Sequence, residues 1–158
     1  MWLKVTLLCL IIVPAVNQPV AVFKEVRWPF TTGPADTFVV RSFRELVEAS
    51  PQRTRSEQPE VQQRVQDEVT KALKVKDIDW KTQMLLVIKL KQILPRGIIV
   101  GPIVNHNRSE ITVNYTYWRP VVSREGDIPP KPTDVATMVL VNRYDAKVKF
   151  IGSERTPK

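Results

Sequence analysis

Residues that commonly carry chemistry are scarce in this 158-residue sequence, and each shortage removes a class of function. Cys9 is the only cysteine and His106 is the only histidine. No Gly-x-Ser-x-Gly nucleophile elbow occurs, and His106 lies between asparagines, as is typical of a solvated turn residue. Metal-ligand spacings and a glycine-rich phosphate loop are also absent from the sequence. The sequence therefore predicts a protein that is not an enzyme and that uses no metal or other cofactor.

Asp77 and Asp79 are the one pair of carboxylates that suggests catalysis. They flank Ile78 immediately before a strongly apolar stretch. Carboxylates in such positions commonly accept hydrogen bonds from nearby backbone amides. We predict turn-capping roles for both, with a catalytic carboxylate pair as the alternative.

Charge is nearly absent from the N-terminus, where Lys4 is the only charged residue before Lys24. The apolar stretch 5–13 is too short to cross a bilayer as a helix but is normal for the core of a signal peptide. We predict a signal peptide over residues 1–15, with cleavage after Ala15 or, as the alternative, after Ala21. The mature chain would then lack cysteine and a transmembrane span. We expect it to be secreted, periplasmic or held at the cell surface.

The strongest structural signal is the apolar run 84–90, whose residues alternate between two apolar faces before lysines begin at Lys89. This pattern predicts a central strand that is covered on both faces in its first half. A Ser42–Glu45 capping box predicts a helix ending near Ala49. Valines at intervals of four predict a second helix over 59–73. Further strands are predicted at 37–41, 98–104, 111–118, 133–142 and 147–151, the last as a hairpin strand.

The prediction is an α+β fold with an antiparallel or mixed sheet of about five or six strands and one or two helices on one face. It comprises a single domain over 36–152, an extended lead-in over 16–35 and a tail over 153–158. In the lead-in, Trp28 and Phe30 are expected to pack back onto the domain. A bulge or edge position is expected at the Gly101-Pro102 dipeptide.

One stretch of this pattern is similar to a known family. Ile78-Asp79-Trp80 precedes the first long strand, Tyr117-Trp118-Arg119-Pro120 closes a later one, and a proline-rich loop precedes the apolar strand 136–141. Over about residues 37–151 the chain resembles the C-terminal domain of the PrcB family, the accessory subunit of a bacterial surface protease complex. Where that family has a Thr-Gly-Gly-Tyr turn, this chain has Pro95-Arg96-Gly97-Ile98-Ile99. The resemblance implies a non-catalytic exported domain that binds or stabilises another exported protein, such as a protease.

The first candidate site is a protein-binding surface at the end of the 111–118 strand. Exposed tryptophan beside arginine is a composition typical of binding hot spots. The alternative is that Trp118, like Trp80, simply packs beneath loops. The candidate partner-binding residues are Tyr115, Tyr117, Trp118 and Arg119, together with the proline-rich loop that follows them.

The second candidate is a cationic surface for an anionic polymer or the cell envelope. The formal net charge is +8, although a soluble protein with a high isoelectric point is the simpler explanation. Aromatic residues are not interleaved with the lysines, so a nucleic-acid partner is not expected. The candidate anion-binding residues are Lys71, Lys74, Lys89, Lys91 and Arg96, with Lys76 and Lys81 nearby in sequence.

Overall fold

The structure is a computed structural model that describes residues 17–30, 35–52, 57–94, 97–106, 109–119 and 133–156. These residues form two helices and eight strands, which confirms the predicted α+β class. The elements, in chain order, are β1 (Gln18–Pro19), β2 (Val22–Arg27), β3 (Asp36–Val40), α1 (Phe43–Ala49), α2 (Pro59–Leu73), β4 (Gln83–Ile93), β5 (Ile98–His106), β6 (Glu110–Trp118), β7 (Thr133–Asn142) and β8 (Lys147–Arg155).

The strands divide between two four-stranded sheets, where the sequence predicted one larger sheet. The outer sheet has the order β1-β5-β6-β8, and the central sheet has the order β2-β7-β4-β3. The two sheets pack face to face around one apolar core, and both helices cover the other face of the central sheet. The molecule is therefore layered as helices, central sheet and outer sheet.

The central strand β4 has the two-sided burial that its sequence predicts. Met84, Leu86 and Ile88 face the outer sheet, and Leu85 and Val87 face the helices. All five side chains are 0 % exposed. Continuous apolar sequence is required here because both faces of the strand are removed from water.

Both predicted helices are present, with the bounds that the sequence predicted. The Ser42 hydroxyl accepts a hydrogen bond from the Glu45 amide over 3.2 Å, and the Glu45 carboxylate accepts one from the Arg41 amide. The second helix begins at Pro59 and ends where Lys74 adopts a left-handed conformation with φ of 55°. The buried apolar positions of this helix are Val61, Val65, Val69 and Leu73.

The segment predicted as a lead-in belongs to both sheets. It supplies β1 to the outer sheet and β2 to the central sheet. Trp28 is fully buried, with its ring edge-to-face against Phe30 at 5.2 Å and Phe38 at 5.9 Å between ring centroids. The predicted packing of Trp28 and Phe30 is thus present, and it anchors β2 beneath the helices.

The last strand does not form the predicted hairpin with β7. Strand β7 already pairs with β2 on one edge and β4 on the other, so it has no free edge for a third partner. Instead, β8 passes to the outer sheet and pairs in parallel with β6. It also continues to Arg155, within the segment predicted as a tail.

Two arginines fix the passage from β7 to β8. The Arg41 side chain donates to the carbonyl oxygens of Tyr144 and Ala146 over 3.2 and 2.9 Å. The Arg143 guanidinium donates in turn to the carbonyl oxygens of Arg41 and Trp80 over 3.0 and 2.7 Å. These bonds tie the chain between the sheets to the end of β3.

Within the described ranges, no helix is both long and apolar enough to cross a membrane. The predicted signal peptide over residues 1–15 lies outside those ranges.

Candidate interaction site

A groove opens along one side of the sandwich, between the last strand of each sheet. Strand β3 ends the central sheet and β8 ends the outer sheet, so each has one edge without a neighbouring strand among the described elements. The groove has a volume of ≈ 880 Å³. Its lining combines apolar side chains, including Val39, Val148 and Phe150, with charged ones from Arg41, Asp145 and Lys147. We call this feature the β3–β8 groove.

Backbone hydrogen bonds show which residues of β8 face its free edge. The Lys147 amide donates to Ser109 over 3.1 Å, and the Arg155 carbonyl accepts from Arg119 over 3.3 Å. Odd-numbered residues of β8 therefore direct their backbone groups towards β6. Because these directions alternate along a strand, Val148, Phe150, Gly152 and Glu154 turn their N–H and C=O groups towards the free edge.

Strand β3 presents its edge in the same way. The Thr37 amide donates to the Asp36 carboxylate over 2.7 Å, and the Arg41 amide donates to Glu45, so neither points into the β4 ladder. Alternation places the backbone groups of Val39 on the same outward side. Packed sheets lie about 10 Å apart and paired strands about 4.8 Å apart, so a strand paired with β8 would extend the outer sheet and lie over the groove.

Three of the four predicted partner-binding residues gather behind the edge of β8. The Tyr115 and Tyr117 rings stack at 6.1 Å, and the Tyr117 hydroxyl donates to Glu154 over 3.3 Å. Arg119 forms a salt bridge with the same carboxylate at 3.1 Å and lies 5.9 Å from the Tyr117 ring centroid. Tyr115 lies so close to Gly152 that an added Cβ would come within 2.7 Å of its ring. The cluster therefore holds the second half of β8 in place.

Burial of the Tyr115 phenol raises its pKa above the ordinary tyrosine value, and neighbouring Tyr117 adds to the shift. The neutral phenol is thus favoured in the folded protein.

The fourth predicted residue, Trp118, lies on the opposite face of the outer sheet, because neighbouring residues of a strand point to opposite sides. That face carries two large exposed apolar side chains, Ile99 at 54 % and Ile151 at 39 % exposure. Trp118 itself is half-buried. The proline-rich loop predicted to act with it, 120–132, lies outside the described residues.

Trp80 packs against the core between the central sheet and the helices, as its alternative interpretation predicted.

The predicted anion-binding residues are divided between two elements. Lys71 lies in the last turn of α2, with Lys74 as its C-cap. Lys89 and Lys91 lie in β4, where Lys89 is only 9 % exposed and is engaged in an interaction within the protein. Arg96 lies outside the described residues. The set therefore does not form a single exposed strand or helix face.

The predicted turn-capping roles of the two aspartates are confirmed. Asp77 accepts from the Ile78 amide over 2.8 Å, and Asp79 accepts from the Lys81 amide and the Thr82 hydroxyl over 3.0 and 2.8 Å. The bond from the Thr82 hydroxyl is the main cause of a lowered pKa for Asp79, followed by that from the Lys81 amide. Both carboxylates thus serve the turn that leads into β4.

The prediction of a solvated turn residue at His106 is wrong. His106 is a half-buried residue at the end of β5, with Nδ1 2.9 Å from Asn17 Oδ1 and Nε2 3.0 Å from Thr112 Oγ1. It joins the N-terminal segment to β6, because β5 extends two residues past the end predicted for it. Across the ranges that the structure covers, no three His, Cys, Asp or Glu residues are grouped so that they could hold a metal ion.

Comparison with protein-family models, curated proteins and solved structures finds no match to this chain. The resemblance to the PrcB family rests on the residue pattern alone.

Proposed function

We propose that this protein is a non-catalytic exported domain that binds another exported protein by pairing an extended segment of that partner with the edge of β8. One observation carries the proposal: among the described elements, β8 has an edge without a neighbouring strand, next to a groove of mixed apolar and polar lining. Addition of a strand to a sheet edge supplies main-chain hydrogen bonds, and adjoining pockets for alternate side chains supply specificity.

The length of β8 supports this role. Its nine residues extend for about 30 Å. Free edges of this kind are a hazard for aggregation, and proteins usually shorten or cover them. The predicted signal peptide and the PrcB-like pattern both favour a partner outside the cytoplasm, such as a secreted or surface protease.

The test replaces one edge residue with proline. In Val148→Pro the missing N–H is one that faces the free edge, so the ladder with β6 is kept and the proline remains apolar. We expect the variant to fold but to lose the partner. In Lys149→Pro the missing N–H faces β6, so this control is expected to lose a ladder hydrogen bond and to be less stable than Val148→Pro.

The measurement is a pull-down from the native exported fraction at low and high salt, followed by titration with the purified partner. A single protein that the wild-type chain retains at high salt, and that Val148→Pro loses, supports the proposal. Equal retention by Val148→Pro contradicts it. Retention of an anionic polymer alone, lost at high salt, would favour the cationic-surface alternative. We expect Trp118→Ala to weaken partner binding less than Val148→Pro, because Trp118 lies on β6, one strand inside the edge.

A further inference from the structure

We propose that the segment captured by β8 is an acidic extended peptide in which acidic and apolar residues alternate. This inference rests on the proposed function and specifies the chemistry of the partner at the same edge.

Uncompensated positive charge lies on one face of β8. Lys147, Lys149 and Arg155 share that face with Ile151 and Ser153, and all three basic residues are exposed. Within the described part of the chain, none of them takes part in a salt bridge, although Glu110 is the register neighbour of Lys147.

Two of the acidic residues near this edge already have partners. The Asp145 carboxylate lies 3.5 Å from Arg143, and the Glu154 carboxylate lies 3.1 Å from Arg119. A strand added to β8 would therefore meet Lys149 and Arg155, which form no salt bridge with a described acidic residue, and Lys147, which lies beside Glu110. Opposite charges on neighbouring strands stabilise pairing, and like charges oppose it.

The other face of the added strand would meet apolar surface. Val148 and Phe150 of β8 and Val39 of β3 are half-buried and pack at the margin of the core between the sheets. Successive side chains of a strand point to opposite faces. A strand in the β3–β8 groove would therefore place every second side chain over these residues and the others beside the lysines.

Other occupants fit this site less well. A polyanion without a peptide backbone cannot pair with the alternating N–H and C=O groups of Val148, Phe150 and Gly152. In a second copy of the chain that paired β8 with β8, the lysines of both strands would lie close together and repel each other. Lysines on an edge strand oppose such self-pairing.

The probe is a labelled short peptide of alternating glutamate and valine, titrated against the purified protein by fluorescence polarisation. A peptide of alternating lysine and valine is its charge-reversed counterpart. We expect the glutamate peptide to bind at least about tenfold more tightly than the lysine peptide.

Charge reversal in the protein should reverse this preference. In Lys147→Glu/Lys149→Glu, we expect the glutamate peptide to lose about tenfold in affinity and the lysine peptide to gain. The matched control is Lys24→Glu/Arg27→Glu, which makes the same change of net charge at two exposed residues of β2 and should leave the preference unchanged. If the β2 control shifts the preference as strongly as the β8 variant, a general electrostatic effect explains the binding and the inference is overturned.

Backbone methylation of the peptide tests pairing directly. In an antiparallel arrangement, the peptide amides that face β8 belong to the inward valines; in a parallel arrangement, they belong to the outward glutamates. N-methylation of one set should therefore abolish binding while methylation of the other set preserves it. Unchanged binding of both methylated peptides excludes strand addition by this peptide.

The inference and the proposed function can fail separately. If the wild-type chain retains an exported protein that Val148→Pro loses, but shows no preference between the peptides, the edge binds a partner of different chemistry and only the inference fails. If Val148→Pro retains that protein and both peptides fail to bind, the edge is not a binding site and both fail.

Discussion

The central and outer sheets differ in what covers them, and this difference separates the stable core from the surface that can bind. Strand β4 has a neighbouring strand on each edge and an apolar layer on each face. Among the residues that the structure describes, β8 has one neighbouring strand, one partly covered face and one exposed face. Both edges of β4 are hydrogen-bonded to other strands and both of its faces are buried. On β8, one edge and one face remain available for a partner.

The sequences of the two strands carry the same contrast. Five consecutive apolar residues lie in the first half of β4, whereas β8 begins with lysine and apolar residues in alternation. Alternation of this kind is what a strand with one solvated face requires. Substitutions in the buried core should therefore cause large losses of stability. Substitutions near β8 should have smaller and more local effects.

The largest effect is expected for Leu86→Asp. Leu86 is 0 % exposed between the two sheets, and an unpaired buried carboxylate costs several kcal/mol, comparable to the whole stability of a small domain. We expect the variant to lose cooperative folding, measured by circular dichroism during thermal unfolding. The control is Lys91→Asp on the same strand, where the exposed side chain should change stability by about 0.5 kcal/mol or less. A soluble Leu86→Asp protein with a cooperative transition would refute the two-sided burial of β4.

The next effect concerns the N-terminal segment that joins the sheets. Trp28→Ala removes a fully buried ring and should cost about 3–5 kcal/mol in chemical denaturation. Phe23→Ala, at a residue that is 46 % exposed, should cost far less. Within the described chain the buried Trp28 Nε1 has no hydrogen-bond acceptor, so Trp28→Phe should cost less than the alanine variant. Equal losses for Trp28→Ala and Phe23→Ala would show that this segment is not part of the core.

The smallest effect is expected at Gly152, beside the tyrosine cluster. A Cβ at this position would come within 2.7 Å of the Tyr115 ring, so Gly152→Ala should displace the ring and cost about 1–3 kcal/mol. Displacement into water should lower the pKa of Tyr115 towards its ordinary value, as measured by ultraviolet titration. The neighbouring Ser153→Ala is the control and should leave that pKa unchanged.

The same tyrosine predicts the direction of a pH dependence. Because the folded pKa of Tyr115 is raised, its contribution to stability is complete below the ordinary tyrosine pKa and is lost as pH rises through the raised pKa. Gly152→Ala should make the alkaline loss of stability shallower. If Gly152→Ala and the wild-type protein lose stability identically at alkaline pH, ionisation of Tyr115 does not cause that loss.

Local patterns predicted most of the elements, because their causes lie within a few residues. The capping box at Ser42 sets the start of α1, and the valine spacing of α2 sets its buried stripe. The Gly101-Pro102 dipeptide was predicted to form a bulge or to lie at an edge, and the register of β5 with β6 shifts there. Each of these features depends on backbone geometry that neighbouring residues determine.

The candidate site was only partly predictable, because a residue's surroundings depend on segments distant in sequence. The pattern around 115–119 identified three side chains that contact β8, but nothing local indicated that β8 would be their neighbour. The lysines at 89 and 91 predict that the second half of β4 has a solvent-exposed face, yet Lys89 is nearly buried. His106 likewise acquires its contacts from Asn17, which is 89 residues away.

By itself, the sequence determined both helices, six of the eight strands and which of their faces are apolar, since periodicity and capping act locally. The tertiary structure alone decided how the strands divide between two sheets. Strand pairing depends on which edges are still free: with both edges of β7 occupied, β8 pairs instead with β6, more than thirty residues earlier in the chain. That choice leaves β8 at the border of the β3–β8 groove, where the proposed partner would bind.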